Sequence, residues 1–234
     1  MSKISAIIPA AGSGTRMGGD RSKQYLAIGE RPILIETLMV FNESPHIDEI
    51  ILLSPPADID LMKKLLKKYD LAKVTKVVKG GKERQDSISN ALDALDRSSS
   101  IVLVHDGVRP FISDKIIKEL IDAVNQYGAA IAAVPVKDTV KKVSNRSISG
   151  ISIIETVPRE NLWLAQTPQA FRAKLIIGAY ANAREKGIRG TDDASLLEAI
   201  GVDVKIVMGS YENIKITTPE DLVFAEAILK ERSR

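Results

Sequence analysis

Short runs rich in Ile and Val, set apart by helical stripes, constrain the fold of this 234-residue chain more than any other feature. Four such runs, Ile4–Pro9, Ile50–Leu53, Val74–Val78 and Ile101–His105, occur in the first half, and Ala129–Val136 follows. Runs this short and this continuously apolar suit strands buried on both faces of a parallel sheet. Between them, Ile88, Ala91, Leu92 and Leu95 share one helical face, as do Ile116, Ile117, Leu120, Ile121 and Val124 behind Ser113, a suitable N-cap. The alternation predicts an α/β fold: a doubly wound, mostly parallel sheet, Rossmann-like, in one domain spanning 1–234.

Segment 137–157 breaks the rhythm. Thr139–Val143 and Ile148–Val157 are β-like and flank a polar turn at Ser144–Ser147, which predicts an inserted β-hairpin arm. Further on, the pattern predicts helices around Lys174–Lys186 and Asp192–Ile200, strands at Val202–Val207 and Ile214–Thr217, and a last helix. Thr218 would cap that helix, with Pro219 at its first position and Glu220 and Asp221 in its first turn.

Composition narrows the chemistry. No Cys is present, which removes thiolate nucleophiles and disulfides, and two His are too few for a His-built zinc site. A net charge of +3 does not predict a nucleic-acid partner. No signal-peptide pattern and no apolar run approaching membrane-spanning length is present, so the expectation is a cytoplasmic protein with no membrane association.

Ligands of open α/β sheets gather at the carboxyl ends of the strands. The first predicted strand leads into Ala10, Ala11, Gly12, Ser13 and Gly14, small residues that let backbone N–H groups approach phosphates closely. Met17 stands where a dinucleotide-binding G-x-G-x-x-G would need its third Gly, and no Walker Gly-Lys-Ser/Thr occurs. Arg16 inside the loop and Lys23 beyond it are candidates to stabilise charge in phosphoryl transfer. The third strand ends in Gly80-Gly81-Lys82-Glu83-Arg84-Gln85-Asp86-Ser87, which a Gly turn and a helix cap would also explain. The fourth ends in His105-Asp106-Gly107-Val108-Arg109-Pro110, where the Asp could hold a metal or a hydroxyl and the Arg a phosphate, or the two could form an ion pair. Thr167-Pro168-Gln169, Thr191-Asp192-Asp193-Ala194 and Asn213-Ile214-Lys215 fall at predicted element ends.

In this order the segments resemble the 2-C-methyl-D-erythritol 4-phosphate cytidylyltransferases. The stretches that match are Pro9–Met17, Lys23-Gln24, Gly80–Ser87, Val104–Asp106, Arg109-Pro110 and Val136–Thr139. Thr156–Arg159, Leu162-Trp163, Thr167–Gln169, Thr191-Asp192 and Asn213–Lys215 complete them. The resemblance implies a CTP-dependent nucleotidyltransferase in which the loop 10–14 wraps the triphosphate and Arg16 and Lys23 stabilise the pentacoordinate transition state. Gly81 and Ser87 would meet the cytosine and ribose side. Asp106, Arg109, Thr139, Thr167 and Thr191 would face the methylerythritol phosphate, whose phosphate Arg159 and Lys215 would orient for attack. It further implies Mg²⁺ held mainly by the CTP phosphates, and a homodimer that exchanges the 137–157 arm. Lys82 and the Gly107-Val108 pair depart from the family pattern. The latter leans toward the related ribitol-5-phosphate cytidylyltransferases, while Val157–Trp163 resembles the methylerythritol enzymes better. An inactive nucleotide-binding sensor is a further alternative, opposed by the presence of Arg16, Lys23 and Lys215.

Overall fold

A computed structural model describes residues 3–12, 23–144 and 150–232. In chain order its elements are β1 (Lys3–Pro9), β2 (Ala27–Ile28), β3 (Arg31–Pro32), α1 (Ile33–Glu43), β4 (Glu49–Ser54), α2 (Ile59–Lys68) and β5 (Val74–Lys79). There follow α3 (Arg84–Asp93), β6 (Ser99–Val104), α4 (Asp114–Tyr127), β7 (Ala129–Pro135), β8 (Val140–Val143), β9 (Ile153–Val157) and β10 (Trp163–Arg172). The chain closes with α5 (Ala173–Lys186), α6 (Asp193–Glu198), β11 (Lys205–Met208) and α7 (Pro219–Arg232).

Seven strands form one sheet in the order β11-β7-β10-β6-β1-β4-β5. All neighbours pair in parallel except β10, which runs antiparallel to both β6 and β7. Strand side chains alternate between faces, and each face has its helices. Ala6, Ile8, Leu52 and Leu103 pack with Leu38, Phe41, Ile117 and Leu120 of α1 and α4. Ile7, Leu53, Val102 and Phe171 pack on the other side with Ile88, Ile176, Tyr180 and Leu197 of α3, α5 and α6. Burying a side chain such as Phe41 or Phe171 contributes about 2–3 kcal/mol, and both are fully buried. The doubly wound fold and its mostly parallel sheet agree with the sequence pattern.

Ser113 caps α4, accepting from the Ile116 N–H, and Gly128 ends it at φ 93°, in the left-handed region that favours Gly. At α7, Pro219 is the first residue as expected, and the Asp221 carboxylate reaches back to the N–H groups of Thr217 (2.7 Å) and Thr218 (2.8 Å).

Three expectations need correction. Ile214–Thr217 is not a strand; it runs beside the β6 exit, where Ile216 N–H donates to Val108 O at 3.0 Å. Thr167-Pro168-Gln169 lies inside β10, a ten-residue strand, rather than at an element end. Polar Gln166, Thr167 and Gln169 interrupt its apolar pattern, so periodicity did not reveal it; yet all three are buried, because they line the site rather than solvent. The strand expected from Val202 begins only at Lys205.

The predicted arm is present as the β8–β9 antiparallel hairpin, with Val140 opposite Val157 and Lys142 opposite Glu155. Residues 145–147 of its expected turn lie outside the described residues. Ile151, Ile153 and Ile154 on this arm are 56%, 64% and 59% exposed.

Candidate active site

The strand order fixes where a ligand can enter. From β1 the chain winds outward through β4 and β5, then returns to place β6 on the other side of β1. The crevice at such a reversal lies beyond the carboxyl ends of the two central strands. Here those ends deliver Pro9–Gly12 and His105–Val108.

Two cavities open there. The first, about 430 Å³, is lined by Ala10, Ala11 and Gly12 from the β1 loop, by Gly81–Arg84 and Ser87 ahead of and within α3, and by Asp106 and Lys215. The second, about 280 Å³, is lined by Arg84, Asp106, Arg109, Thr167, Thr191 and Lys215, with Gln166, Gln169 and Asp192. Arg84, Asp106 and Lys215 line both, so the cavities meet at these three side chains.

Close approach shapes the first cavity. A Cβ on Gly80 would overlap the Ala11 methyl, and one on Gly81 would come within 2.5 Å of Asp86 Cβ. Gly81 N–H donates to Ser87 Oγ at 2.8 Å, and that hydroxyl donates to Glu83 O at 2.9 Å, which ties the turn to the first turn of α3. Gln24, buried, holds the β1 loop through Nε2 to Ala10 O at 2.9 Å.

Asp106 is the electrostatic centre. Its carboxylate lies 2.9 Å from Lys215 Nζ, 3.5 Å from Arg109 Nε and 3.8 Å from Arg84 Nε. Burial alone would raise its pKa, but Lys215, Arg84 and Arg109 outweigh that and hold the carboxyl well below the usual range. Its backbone N–H donates to Thr167 Oγ1 at 3.0 Å, linking β6 to β10. A register irregularity between Ala165 and Gln169 lets this part of β10 turn Gln166 and Thr167 into the second cavity. Arg109 Nη1 donates to Asn213 O at 2.6 Å, and Asn213 donates through Nδ2 to Thr167 O at 2.8 Å. The loop that carries Lys215 is thereby fixed against the site.

His105 lies beside Asp106 but lines neither cavity. Burial lowers its pKa to about 4, so the ring is neutral near pH 7, and Nε2 is 2.9 Å from Arg109 O. It supports the Arg109 turn.

Of the predicted residues, Ala10, Ala11, Gly12, Gly81 and Ser87 come together in the first cavity and Arg109, Thr167 and Thr191 in the second, with Asp106 and Lys215 in both. Thr139 and Arg159 line neither; Arg159 Nη1 donates to Lys137 O at the base of the arm. Ser13, Gly14, Arg16 and the Lys23 side chain lie outside the described residues. Lys82 and Gln24, assigned no role by the sequence reading, line the first cavity. Arg84 is the main residue that reading missed. Its place in the Gly-Gly-x-Glu-Arg stretch was the available signal.

A sheet reversal that joins a nucleotide-sized cleft to a second, cation-lined one suits an α/β enzyme acting on phosphorylated substrates. Comparison with known proteins narrows this class. The sequence matches the family "IspD: 2-C-methyl-D-erythritol 4-phosphate cytidylyltransferase" over residues 4–231, and the chain belongs to that family. It is similar to the 2-C-methyl-D-erythritol 4-phosphate cytidylyltransferase of Alkaliphilus oremlandii, with 50% identity over 99% of this chain and 97% of the relative. The protein of that name from Syntrophus aciditrophicus is 49% identical over 98% and 97% of the two chains. Among solved structures, the 4-diphosphocytidyl-2C-methyl-D-erythritol synthase of Anaerococcus prevotii superposes with a TM-score of 0.84 and 41% identity, covering 98% of this chain and 96% of its own. Among the described residues, no helix is long and apolar enough to cross a membrane.

Proposed function

We propose that the chain transfers CMP from CTP to 2-C-methyl-D-erythritol 4-phosphate, giving 4-diphosphocytidyl-2-C-methyl-D-erythritol and pyrophosphate. The observation that carries this reading is the family match across residues 4–231, joined to two cavities that share Arg84, Asp106 and Lys215. CTP occupies the first cavity, its triphosphate on the backbone of the loop 10–14 and its cytidine toward Gly81 and Ser87. The acceptor occupies the second, against Asp106, Arg109, Thr167 and Thr191. An oxygen of the acceptor phosphate attacks the α-phosphorus in line. The bond from the α-phosphorus to the bridging oxygen breaks, and pyrophosphate leaves. Arg16 and Lys23 stabilise the charge of the pentacoordinate transition state, and Lys215 and Arg159 orient the attacking phosphate.

No group of three His, Asp or Glu side chains that could hold a metal gathers among the described residues, and Asp106 is already engaged by three cations. This donor set fits a Mg²⁺ ion that arrives on the triphosphate oxygens rather than one caged by protein. Bound there, Mg²⁺ would neutralise part of the phosphate charge.

The chain works as one domain with an arm, in a homodimer. Exposed Ile151 and Ile153 on the 137–157 hairpin favour cover by a second copy, and Thr139 and Arg159 lie away from both cavities of their own chain. Arm exchange would bring them to the neighbouring site.

A pyrophosphate-release assay with CTP and Mg²⁺ tests the reaction. Methylerythritol phosphate should support turnover, and ribitol 5-phosphate much less. Faster turnover with ribitol phosphate would overturn the acceptor assignment, and no release with either would overturn the reaction.

A further inference from the structure

Arg84 stands at the first position of α3 and lines both cavities. Its Nη2 lies 2.6 Å from Asp193 Oδ2 and its Nε 3.8 Å from Asp106 Oδ1, while Nη1 has no partner among the described residues. Asp193 is fully buried and lines neither cavity. Its second oxygen, Oδ1, accepts from the Tyr180 hydroxyl at 2.5 Å. Tyr180 is itself buried in the packing between α5 and the sheet, and it too lines neither cavity.

Asp193 is fixed from its backbone side as well. Its N–H donates to Gln169 Oε1 at 3.0 Å, and Gln169 Nε2 donates to Asp192 Oδ2 at 2.7 Å. Asp193 thus joins α3 and α5 through its carboxylate and α6 to β10 through its N–H. A buried carboxylate with a single donor on each oxygen has little freedom to rotate, and neither does the guanidinium it holds. Burial and the neighbouring Asp193 raise the Tyr180 pKa, so the hydroxyl remains a donor throughout the neutral range.

We propose that Tyr180 and Asp193 are positioning residues that aim Arg84 at the seam of the two cavities, where Arg84 contacts the phosphates of the bound substrates. The seam carries three cations, Arg84, Arg109 and Lys215, against Asp106, and Asp193 offsets Arg84 from behind. These five side chains sum to a net positive charge, suited to phosphate. Lys could supply the charge of Arg84, but its single ammonium cannot hold Asp193 through one nitrogen and offer another to a phosphate in a fixed plane. A purely structural reading, in which Arg84 and Asp193 only tie α3 to α6, makes different predictions. This proposal rests on the phosphoryl-transfer reading above.

A double-mutant cycle on Tyr180→Phe and Arg84→Lys tests it. Tyr180→Phe removes one hydrogen bond to a charged group and keeps the ring in its packing. It should lower kcat/KM for pyrophosphate release by about 10-fold. Arg84→Lys should lower it by at least as much. If Tyr180 acts through Arg84, the double variant is no worse in kcat/KM than Arg84→Lys alone. Wild-type kcat/KM in Tyr180→Phe, or multiplication of the two kinetic losses, overturns the proposal. Asp193→Asn, which keeps the shape but weakens the hold on Arg84, should reproduce the Tyr180→Phe loss if that variant folds poorly. CTP affinity, measured by calorimetry without acceptor, should show the same non-additivity. A wild-type chain that binds CTP but releases no pyrophosphate would count against the proposed reaction, and the calorimetric cycle would still decide the roles of Tyr180 and Arg84.

Discussion

Lys215 Nζ lies 2.9 Å from Asp106 Oδ2, joining the loop ahead of α7 to the exit of the fourth strand in the sheet's winding. The contact closes the floor shared by both cavities. It also keeps Asp106 ionised, because burial alone would favour the neutral acid. A folded-state pKa below the unfolded value gives stability that is present above the unfolded pKa, about 3.9. That stability is lost as pH falls through the folded value. Lys215→Ala moves the folded-state value back toward the unfolded one, so the variant should be destabilised near pH 7 and lose less stability than wild type on acidification, while kcat falls roughly 10²–10³-fold. Thermal melts from pH 7 to pH 3 check the first effect, and acid profiles identical in both proteins would show that Lys215 does not set the Asp106 charge.

The charge of the transition state falls to Arg16 and Lys23 in the proposed mechanism. Arg16→Ala and Lys23→Ala should each reduce kcat by about 10²–10³-fold. CTP affinity should fall less, because backbone groups of the loop 10–14 still hold the triphosphate. Single-turnover kinetics isolates the chemical step, and an unchanged rate in either variant would remove that residue from the catalytic set.

Mixing Lys23→Ala and Arg159→Ala proteins tests whether a site is shared between subunits. Each parent should be nearly inactive. In a heterodimer, the subunit with intact Lys23 receives an intact Arg159 from its partner, which restores one of two sites. Random exchange makes about half of the dimers mixed, so about a quarter of all sites should recover. Activity that stays flat after confirmed exchange would mean that both residues act within one subunit.

At the opposite end of the sheet, Glu49 is buried and lies 2.7 Å from Lys3 Nζ, with Ser5 Oγ donating at 2.6 Å and Thr75 Oγ1 at 3.2 Å. Burial pushes its pKa up, but Lys3, Ser5 and Thr75 together bring it below the ordinary value. Its contribution is complete above the unfolded pKa, about 4.3, and fades as pH falls through the folded one. Glu49→Ala leaves Lys3 with Asp96 and Ser5 with Ser99, removes the acceptor of Thr75, and should cost about 2–4 kcal/mol near pH 7. The difference from wild type should shrink below pH 4, and denaturant titrations at pH 7 and pH 3.5 measure it. A constant difference would place the effect in packing rather than charge.

How much of this was legible in the sequence follows from what each feature depends on. Runs such as Ile50–Leu53 and stripes such as Ile116–Val124 report burial directly, because apolar periodicity is a local consequence of which face meets the core. They determined the layered α/β fold, whereas the glycines at 80 and 81 read as a turn, and only the structure shows the close approach to Ala11 and Asp86. The family resemblance, carried by short colinear stretches, determined the reaction to expect and pointed to ten of the residues that line the cavities. The course of β10 was hidden, since its middle residues are polar for the sake of the site and so lack a strand's pattern. The role of Arg84 was equally hidden. A lone Arg after a Glu looks like an ordinary first-turn helix residue until α5, α6 and β10 bring Tyr180, Asp193 and Gln169 behind it. Local pattern fixes elements, because helices and strands are held by near neighbours. Long-range packing alone decides which side chains share one carboxylate, since those distances exist only once the sheet has closed.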